Sequence, residues 1–258
     1  MARLNTNTTY NENCLHTMAK MDDNFLDLTV TSPPYDNLRL YSGYSFDFES
    51  IAKELYRTTK DGGVVVWIVN DSTKKGNESG NSFRQALFFQ QIGFNLHDTM
   101  IWNKPNCFNF GSNKCYKQAF EYMFVFAKGK IKTMNLIKDV PAKNAGTAMK
   151  GGRKHACGKR TKTWVTESHH DETFIVAEFK KRTNVWDMNV GGNNNGHPAV
   201  FPEKLAHDHI ISWSNEGDLV YDPFMGSGTT AKMALHTNRK YIGSEISEEY
   251  CDIIINRC

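Results

Sequence analysis

Asp218-Leu219-Val220-Tyr221-Asp222-Pro223-Phe224-Met225-Gly226-Ser227-Gly228-Thr229-Thr230 reads as a short buried strand that enters a glycine turn and continues into a helix starting near Thr229. Glycines at such a turn let the backbone come close to a ligand, and the helix N-terminus presents free N–H groups. A second strand follows, Lys240 to Gly243, and it ends at Glu245. That acid lies 23 residues beyond Asp222, near the spacing of about 20 at which a carboxylate meets ribose hydroxyls in dinucleotide folds. No Gly-Lys-Ser/Thr closes the turn, so it is not a phosphate loop of the Walker kind. A tight packing turn is the competing reading, and it leaves the register of turn, helix, strand and acid unexplained.

Working outward, the second informative stretch is Ser32-Pro33-Pro34-Tyr35, at the end of the apolar run Phe25 to Val30. Two prolines hold φ near −65° and donate no N–H, so the chain leaves its strand on a stiff, extended path with free carbonyl lone pairs. A hydroxyl, a fixed carbonyl and a ring suit the capture of a planar group that bears an amino substituent. The alternative is an ordinary strand exit with a solvent-facing Tyr35. A Pro-Pro-x-Tyr peptide ligand is excluded, because Tyr35 follows Pro34 directly.

In this order, the two stretches resemble the amino-directed DNA methyltransferases that use S-adenosylmethionine, in their beta, permuted arrangement. There a Ser/Asp/Asn-Pro-Pro-Tyr motif precedes the cofactor glycine motif, whereas protein and ribosomal RNA methyltransferases with a similar motif usually place it afterwards. The resemblance covers most of residues 4–104 and 185–250. It implies an α/β, Rossmann-like methyltransferase fold with a mostly parallel sheet of about seven strands and a small inserted target-recognition lobe. It also implies a division into a catalytic half at 1–128, the recognition insertion at 129–184 and a cofactor-binding half at 185–258. Ser32, Pro33, Pro34 and Tyr35 take the catalytic position. Asp222, Phe224, Gly226, Gly228, Thr229 and Thr230 surround the methionine portion of the cofactor, and Glu245 meets the ribose. The segment His197-Pro198-Ala199-Val200-Phe201-Pro202 closes the methionine end, through His197 and Phe201. At the adenine, Asn13 before Cys14-Leu15 stands where the family has an acid. Its carbonyl oxygen can still accept from an amino group, and the neighbouring Glu12 is the competing candidate. Phe224 fits a core position equally well.

The chain has 258 residues, 40% of them hydrophobic, enough for one large α/β domain or for a domain with an inserted lobe. The longest unbroken apolar run, Val64 to Val69, falls far short of the roughly 20 residues of a membrane helix. With no charged-then-apolar leader, the expected location is the cytoplasm of a bacterial, archaeal or phage-infected cell. The six cysteines form no Cys-x-x-Cys pair and suggest neither a disulfide framework nor a metal site. None follows a proline, so the covalent Pro-Cys route of carbon-5 cytosine methylation has no motif here.

Net charge is only +3 but unevenly spread: Lys104 to Lys162 holds fourteen Lys and Arg against two acids, a balance of +12 that leaves −9 for the remainder. A basic middle in an acidic frame suits double-stranded DNA as partner, although a solvated basic insertion has the same composition. Arg39, Lys104, Arg153, Lys154, Lys159 and Arg160 are the expected DNA-facing set, with Trp164 beside them. Arg suits bidentate contacts to guanine and Lys suits phosphate.

The remaining elements read in sequence as a strand and short helix within 4–20, and a strand at Leu26 to Val30. A helix follows at Phe48 to Tyr56, then a turn at Asp61-Gly62-Gly63 before the buried strand Val64–Val69. Asp71 to Gly80 reads as a polar linker, Phe83 to Gln91 as a helix stopped at Gly93. Strands are expected at His97 to Trp102 and Glu121 to Lys128, and a helix at Lys204 to Ile211.

A base amino nitrogen is a poor nucleophile because its lone pair is delocalised into the ring. Acceptors for both amino protons, here the Ser32 hydroxyl and the Pro33 carbonyl, favour a more pyramidal nitrogen on a base flipped from the duplex. In the resembled family a Ser at the head of the motif leans toward cytosine N4, and Asp or Asn toward adenine N6. A DNA-binding protein of this fold without activity is the alternative of another class. Oligomeric state (monomer or homodimer) and a companion restriction endonuclease are not legible.

Overall fold

The computed structural model describes residues 4–34, 46–107, 116–150, 173–190 and 201–258. The elements run β1 (Thr8–Asn11), α1 (Cys14–Met18), β2 (Leu26–Thr31), α2 (Phe48–Thr58), β3 (Thr59–Val69), β4 (Thr73–Lys74), β5 (Asn77–Glu78), α3 (Asn81–Gln91), β6 (Asn95–Asn103) and β7 (Phe120–Ala127). After them come β8 (Lys138–Pro141), β9 (Ala148–Lys150), β10 (Thr173–Ile175), β11 (Phe179–Lys181), β12 (Val185–Asp187), α4 (Glu203–Trp213), β13 (Leu219–Asp222), α5 (Thr229–His236), β14 (Lys240–Glu245) and α6 (Glu248–Arg257).

An eight-stranded sheet in the order β1-β14-β13-β2-β3-β7-β6-β12 forms the centre. All neighbours pair in parallel except β7, which is antiparallel to both β3 and β6. The sheet is mostly parallel, as expected; β12 brings it to eight strands where the expectation is about seven. The run Val64–Val69 shows why it is buried on both sides. Val64, Val66 and Ile68 face one apolar cluster, which also holds Leu205, Ile210 and Trp213 of α4 and Ala231 of α5. Val65, Trp67 and Val69 face the other, with Met18 of α1, Leu55 of α2 and Phe89 of α3. Period-2 alternation between two helix layers is what a central parallel strand requires.

Two local expectations are corrected and one element is added. Asp61-Gly62-Gly63 is not a turn before a strand but part of β3, taken up as an irregularity where the register jumps from Leu26↔Thr59 to Leu28↔Val64. Gly62, at φ +81°, makes that detour available, and its N–H donates to the Lys128 carbonyl at 2.6 Å. The supposed linker 71–80 contains the short hairpin β4–β5. α6 is an added element, and a legible signal stood before it: Ser247 caps it by accepting from the Tyr250 N–H, with Glu248 and Glu249 in its first turn.

The chain divides into two compact units, one of Met1–Asn135 with Asn184–Cys258 and the other of Leu136–Thr183. In the described part of the second, β8 pairs with β11 and β9 with β10, both antiparallel.

Candidate active site

Strands β1, β14, β13, β2 and β3 run parallel, so their carboxyl ends share one edge of the sheet. That edge collects Asn11, Glu245, Asp222, Thr31 with Ser32, and Asn70. Ligands of open α/β sheets bind at such an edge, where the connections diverge to either side. Here the divergence falls between β13 and β2, and it brings the glycine turn beside the Ser-Pro-Pro exit across about 190 residues of chain, as the 191-residue separation of Thr31 and Asp222 records.

Asp222 joins the two stretches. Its carboxylate accepts from Thr31 Oγ1 at 2.6 Å, from Thr230 Oγ1 at 2.7 Å and from the Phe224 N–H at 3.0 Å. Thr31 is the residue before Ser32, and Thr230 lies in the first turn of α5, so one buried acid ties β2, β13 and α5 together. Thr230 Oγ1 also lies 3.3 Å from the Val30 carbonyl. Burial pushes the Asp222 carboxyl up to about 6, against the lowering effect of its three donors. With those donors in place, Asp222 acts on the site as a brace.

The glycine turn follows. Gly226 and Gly228 have φ of +53° and +86°, a region that residues with a Cβ avoid. Gly228 is the N-cap of α5, and no side chain caps that helix. Its first-turn N–H groups therefore face the edge without a side-chain acceptor. Glu245 holds the turn from the next strand: Oε2 accepts from the Gly226 N–H at 2.8 Å and Oε1 from the Ser247 N–H at 2.9 Å. Burial raises its carboxyl above the usual range, and the backbone donors oppose that. Asn11 Nδ2 donates to the Glu245 carbonyl at 3.0 Å and fixes the strand end.

The other expected residues are placed as follows. Ser32 and Pro34 are half-buried and Pro33 is buried, so the loop leaves β2 against the sheet. Asn13 caps α1, its Oδ1 accepting from the Leu15 N–H at 2.9 Å. The neighbouring Glu12 is held by Lys20 and by Thr17 Oγ1, and that pairing lowers its carboxyl against the opposing effect of burial. Both candidates for the adenine end thus begin with local partners. Phe224 meets Phe46 edge-on at 5.7 Å between ring centroids and Trp67 at 6.3 Å, and Phe201 packs on the cluster that holds α4 and α5.

Lys104 has its ammonium on the Glu121 carboxylate and 4.4 Å from the Trp102 ring centroid. Both partners of the ion pair are mostly buried, at 16% and 10% exposure, which leaves this lysine poorly placed to take a phosphate as well. Trp102 is core, with its Nε1 donating to the Met188 carbonyl at 2.8 Å. Tyr35, Arg39, Arg153, Lys154, Lys159, Arg160, Trp164 and His197 lie outside the described residues.

Three contributors stand outside the residues that the sequence singles out: Thr31, Ser247 and Arg257. Thr31 stands next to the Pro-Pro motif, and Ser247 stands before a pair of acids, so both had local cues. Arg257 reaches Ser227, 30 residues earlier, and no local pattern announces it.

Residues 26–256 match the family model N6_N4_Mtase, described as DNA methylase. The chain is 56% identical over 239 residues to the orphan methyltransferase M.BamHII of Bacillus amyloliquefaciens, covering 90% of this chain and 88% of that one. Among solved structures it is similar to the cytosine-N4-specific PvuII DNA methyltransferase, with TM-score 0.70 and 20% identity over 97% of this chain and 85% of that one. It is also similar to M1.HpyAVI in its complex with SAM, with TM-score 0.60 and 21% identity over 97% of this chain and 99% of that one.

Proposed function

Because the chain belongs to the DNA methylase family, N6_N4_Mtase, we propose that it moves a methyl group from S-adenosylmethionine to the exocyclic amino nitrogen of a flipped base in double-stranded DNA, with cytosine N4 as the target. The observation that carries this reading is the Thr31–Asp222–Thr230 clamp, which sets the Ser-Pro-Pro exit beside the glycine turn.

The residues present fit the cofactor. The uncapped positive end of α5 suits its carboxylate, and the lone pairs of the Glu245 carboxylate outnumber its backbone donors Gly226, Ile246 and Ser247, which leaves an acceptor for a ribose hydroxyl. Gly226, Gly228, Thr229, Thr230 and Phe224 would line the methionine portion, braced by Asp222 and closed by His197 and Phe201, with Asn13 at the adenine. S-adenosylmethionine supplies an electrophilic methyl carbon on a sulfonium sulfur.

The chain's own part is positioning. Ser32 Oγ and the Pro33 carbonyl accept the two amino protons and turn the nitrogen lone pair toward the methyl, while Tyr35 stacks on the base. Holding nucleophile and electrophile in line accounts for most of the acceleration. The Ser32 hydroxyl is too weak a base to keep the proton released on transfer, so that proton passes to water. Ser32 at the head of the motif supports cytosine, as does the likeness to a cytosine-N4-specific enzyme. The lobe within 129–184 is the target-recognition element in this reading. No helix among the described residues is long and apolar enough to cross a membrane. A cytoplasmic monomer or homodimer, with or without a companion endonuclease, satisfies these requirements.

The test is incubation of the protein with unmethylated DNA and S-adenosylmethionine, then digestion to nucleosides and mass spectrometry. N4-methylcytosine is the expected product. N6-methyladenine would keep the fold and mechanism and overturn the base assignment. Cofactor and DNA binding without any methylated nucleoside would point to a DNA-binding protein of this fold that lacks activity.

A further inference from the structure

We propose that α6 is a strut for the cofactor turn and that Arg257 is a positioning residue for S-adenosylmethionine binding. This rests on the reading that the glycine turn and Glu245 hold that cofactor.

The two ends of α6 reach the two halves of that site. At its start, the Ser247 N–H donates to Glu245 Oε1 at 2.9 Å. One turn on, Cys251 Sγ lies 3.9 Å from the Glu245 carbonyl. Near its end, Ile254 is buried against Gly228: a Cβ added there would lie 2.9 Å from Ile254 Cγ1.

Arg257 supplies the polar counterpart. Its Nη1 donates to the Ser227 carbonyl at 3.0 Å and to Ser227 Oγ at 3.1 Å, and lies 3.4 Å from Thr229 Oγ1. Its Nη2 donates to Glu203 Oε1 at 2.5 Å, an oxygen that also accepts from Lys232 Nζ at 2.8 Å. Glu203 opens α4 and Lys232 lies in α5, so the guanidinium is aimed by a carboxylate that two other helices already fix. Its fork geometry lets one cation serve both the turn and the carboxylate. The side chain is only 12% exposed, and it meets the turn through Ser227 and Thr229, the residues flanking the N-cap glycine. Losing it releases the Ser227 carbonyl and the first turn of α5 from a fixed orientation, while the Glu203–Lys232 pair persists.

The consequence is specific. An interaction made with Ser227 and Thr229 of the turn, and not with the Ser-Pro-Pro exit, should affect the cofactor and spare the chemistry. In Arg257→Ala the Kd for S-adenosyl-L-homocysteine by titration calorimetry, and the KM for S-adenosylmethionine, should rise about tenfold, the loss expected for charge-assisted hydrogen bonds. At saturating cofactor kcat should stay within about twofold, as should the Kd for duplex DNA, since only cofactor binding is lost. Arg257→Lys should recover part of the affinity, because an ammonium can serve Ser227 or Glu203 but lacks the fork.

A fall in melting temperature with an unchanged Kd for S-adenosyl-L-homocysteine would overturn the proposal and leave Arg257 a purely structural residue. Should Arg257→Ala fail to fold, Glu203→Gln takes its place: it keeps the guanidinium but weakens its aim, so the Kd should rise by about threefold, less than for removal. An unchanged Kd there is likewise fatal. Wild-type protein that binds neither S-adenosylmethionine nor S-adenosyl-L-homocysteine would instead overturn the functional reading on which this one rests.

Discussion

Asp222 carries a titration that folding makes unfavourable. Its carboxyl has a native value of about 6 against an ordinary 3.8, burial being the first cause. Below the ordinary value the acid is protonated in both states, and above 6 it is ionised in both. Between them the native state keeps a proton that the unfolded chain has shed, so stability falls as pH rises through this window. The group alone should make the protein about 3 kcal/mol less stable above pH 6 than below pH 4. Glu245, also raised by burial, acts in the same direction. Urea-unfolding free energies of wild type and Asp222→Asn, measured between about pH 4 and 7, should therefore converge on the acid side and separate toward neutrality, with the amide losing the part of the slope that Asp222 contributes. A difference independent of pH would mean that the carboxylate titrates as if in water. At this scale the sequence disclosed residue types better than their roles. Asp222, Glu245 and Asn13 were all legible as polar groups at strand or helix ends. What Asp222 accepts from was not, because Thr31, 191 residues away in the chain, becomes its neighbour only through the pairing of β13 with β2.

At the scale of elements, the glycine turn and its helix were readable from local chemistry. α5 begins at Thr229, as the sequence indicates, because Gly228 adopts φ +86° and ends the preceding strand geometry. Gly228→Ala meets two costs: the left-handed backbone, about 1–2 kcal/mol, and contact with Ile254 Cγ1, 2.9 Å from the new Cβ. Overpacking of a buried site adds about 1–3 kcal/mol. A combined loss of about 2–5 kcal/mol is expected, seen as a lower urea midpoint with an unchanged denaturant slope. If stability is preserved, the turn must relax away from α6, and the packing that α6 gives it is then unimportant. The elements that local sequence did not show have a common cause. β3 carries the Asp61-Gly62-Gly63 detour inside a strand because Lys128 of the neighbouring chain segment takes the Gly62 N–H, a long-range partner that no window of local sequence contains. β12 is three residues long and is a strand only because Val185, Trp186 and Asp187 align with Ile101, Trp102 and Asn103.

For the whole molecule, the uneven charge is the property that connects the fold to its partner. The unit Leu136–Thr183 holds eleven Lys and Arg against five acids, a balance of +6 that leaves −3 for all other residues. Within its described part, Lys181 of β11 is the cross-strand partner of Lys138 of β8, and both are exposed. Like charges directly opposite on a two-stranded pair destabilise it, whereas an anion shared between two ammonium groups reverses that sign. A phosphate of the DNA backbone is such an anion. Each phosphate contact contributes close to one unit to the slope of log affinity against log salt. Lys138→Gln with Lys181→Gln should therefore reduce that slope by about 1 to 2 for duplex DNA, weaken binding to all sequences alike, and leave the Kd for S-adenosyl-L-homocysteine unchanged. The same pair of substitutions relieves the cross-strand repulsion, so the free protein should be no less stable than wild type. An unaltered slope would remove this strand pair from the DNA path and leave its lysines to solvent.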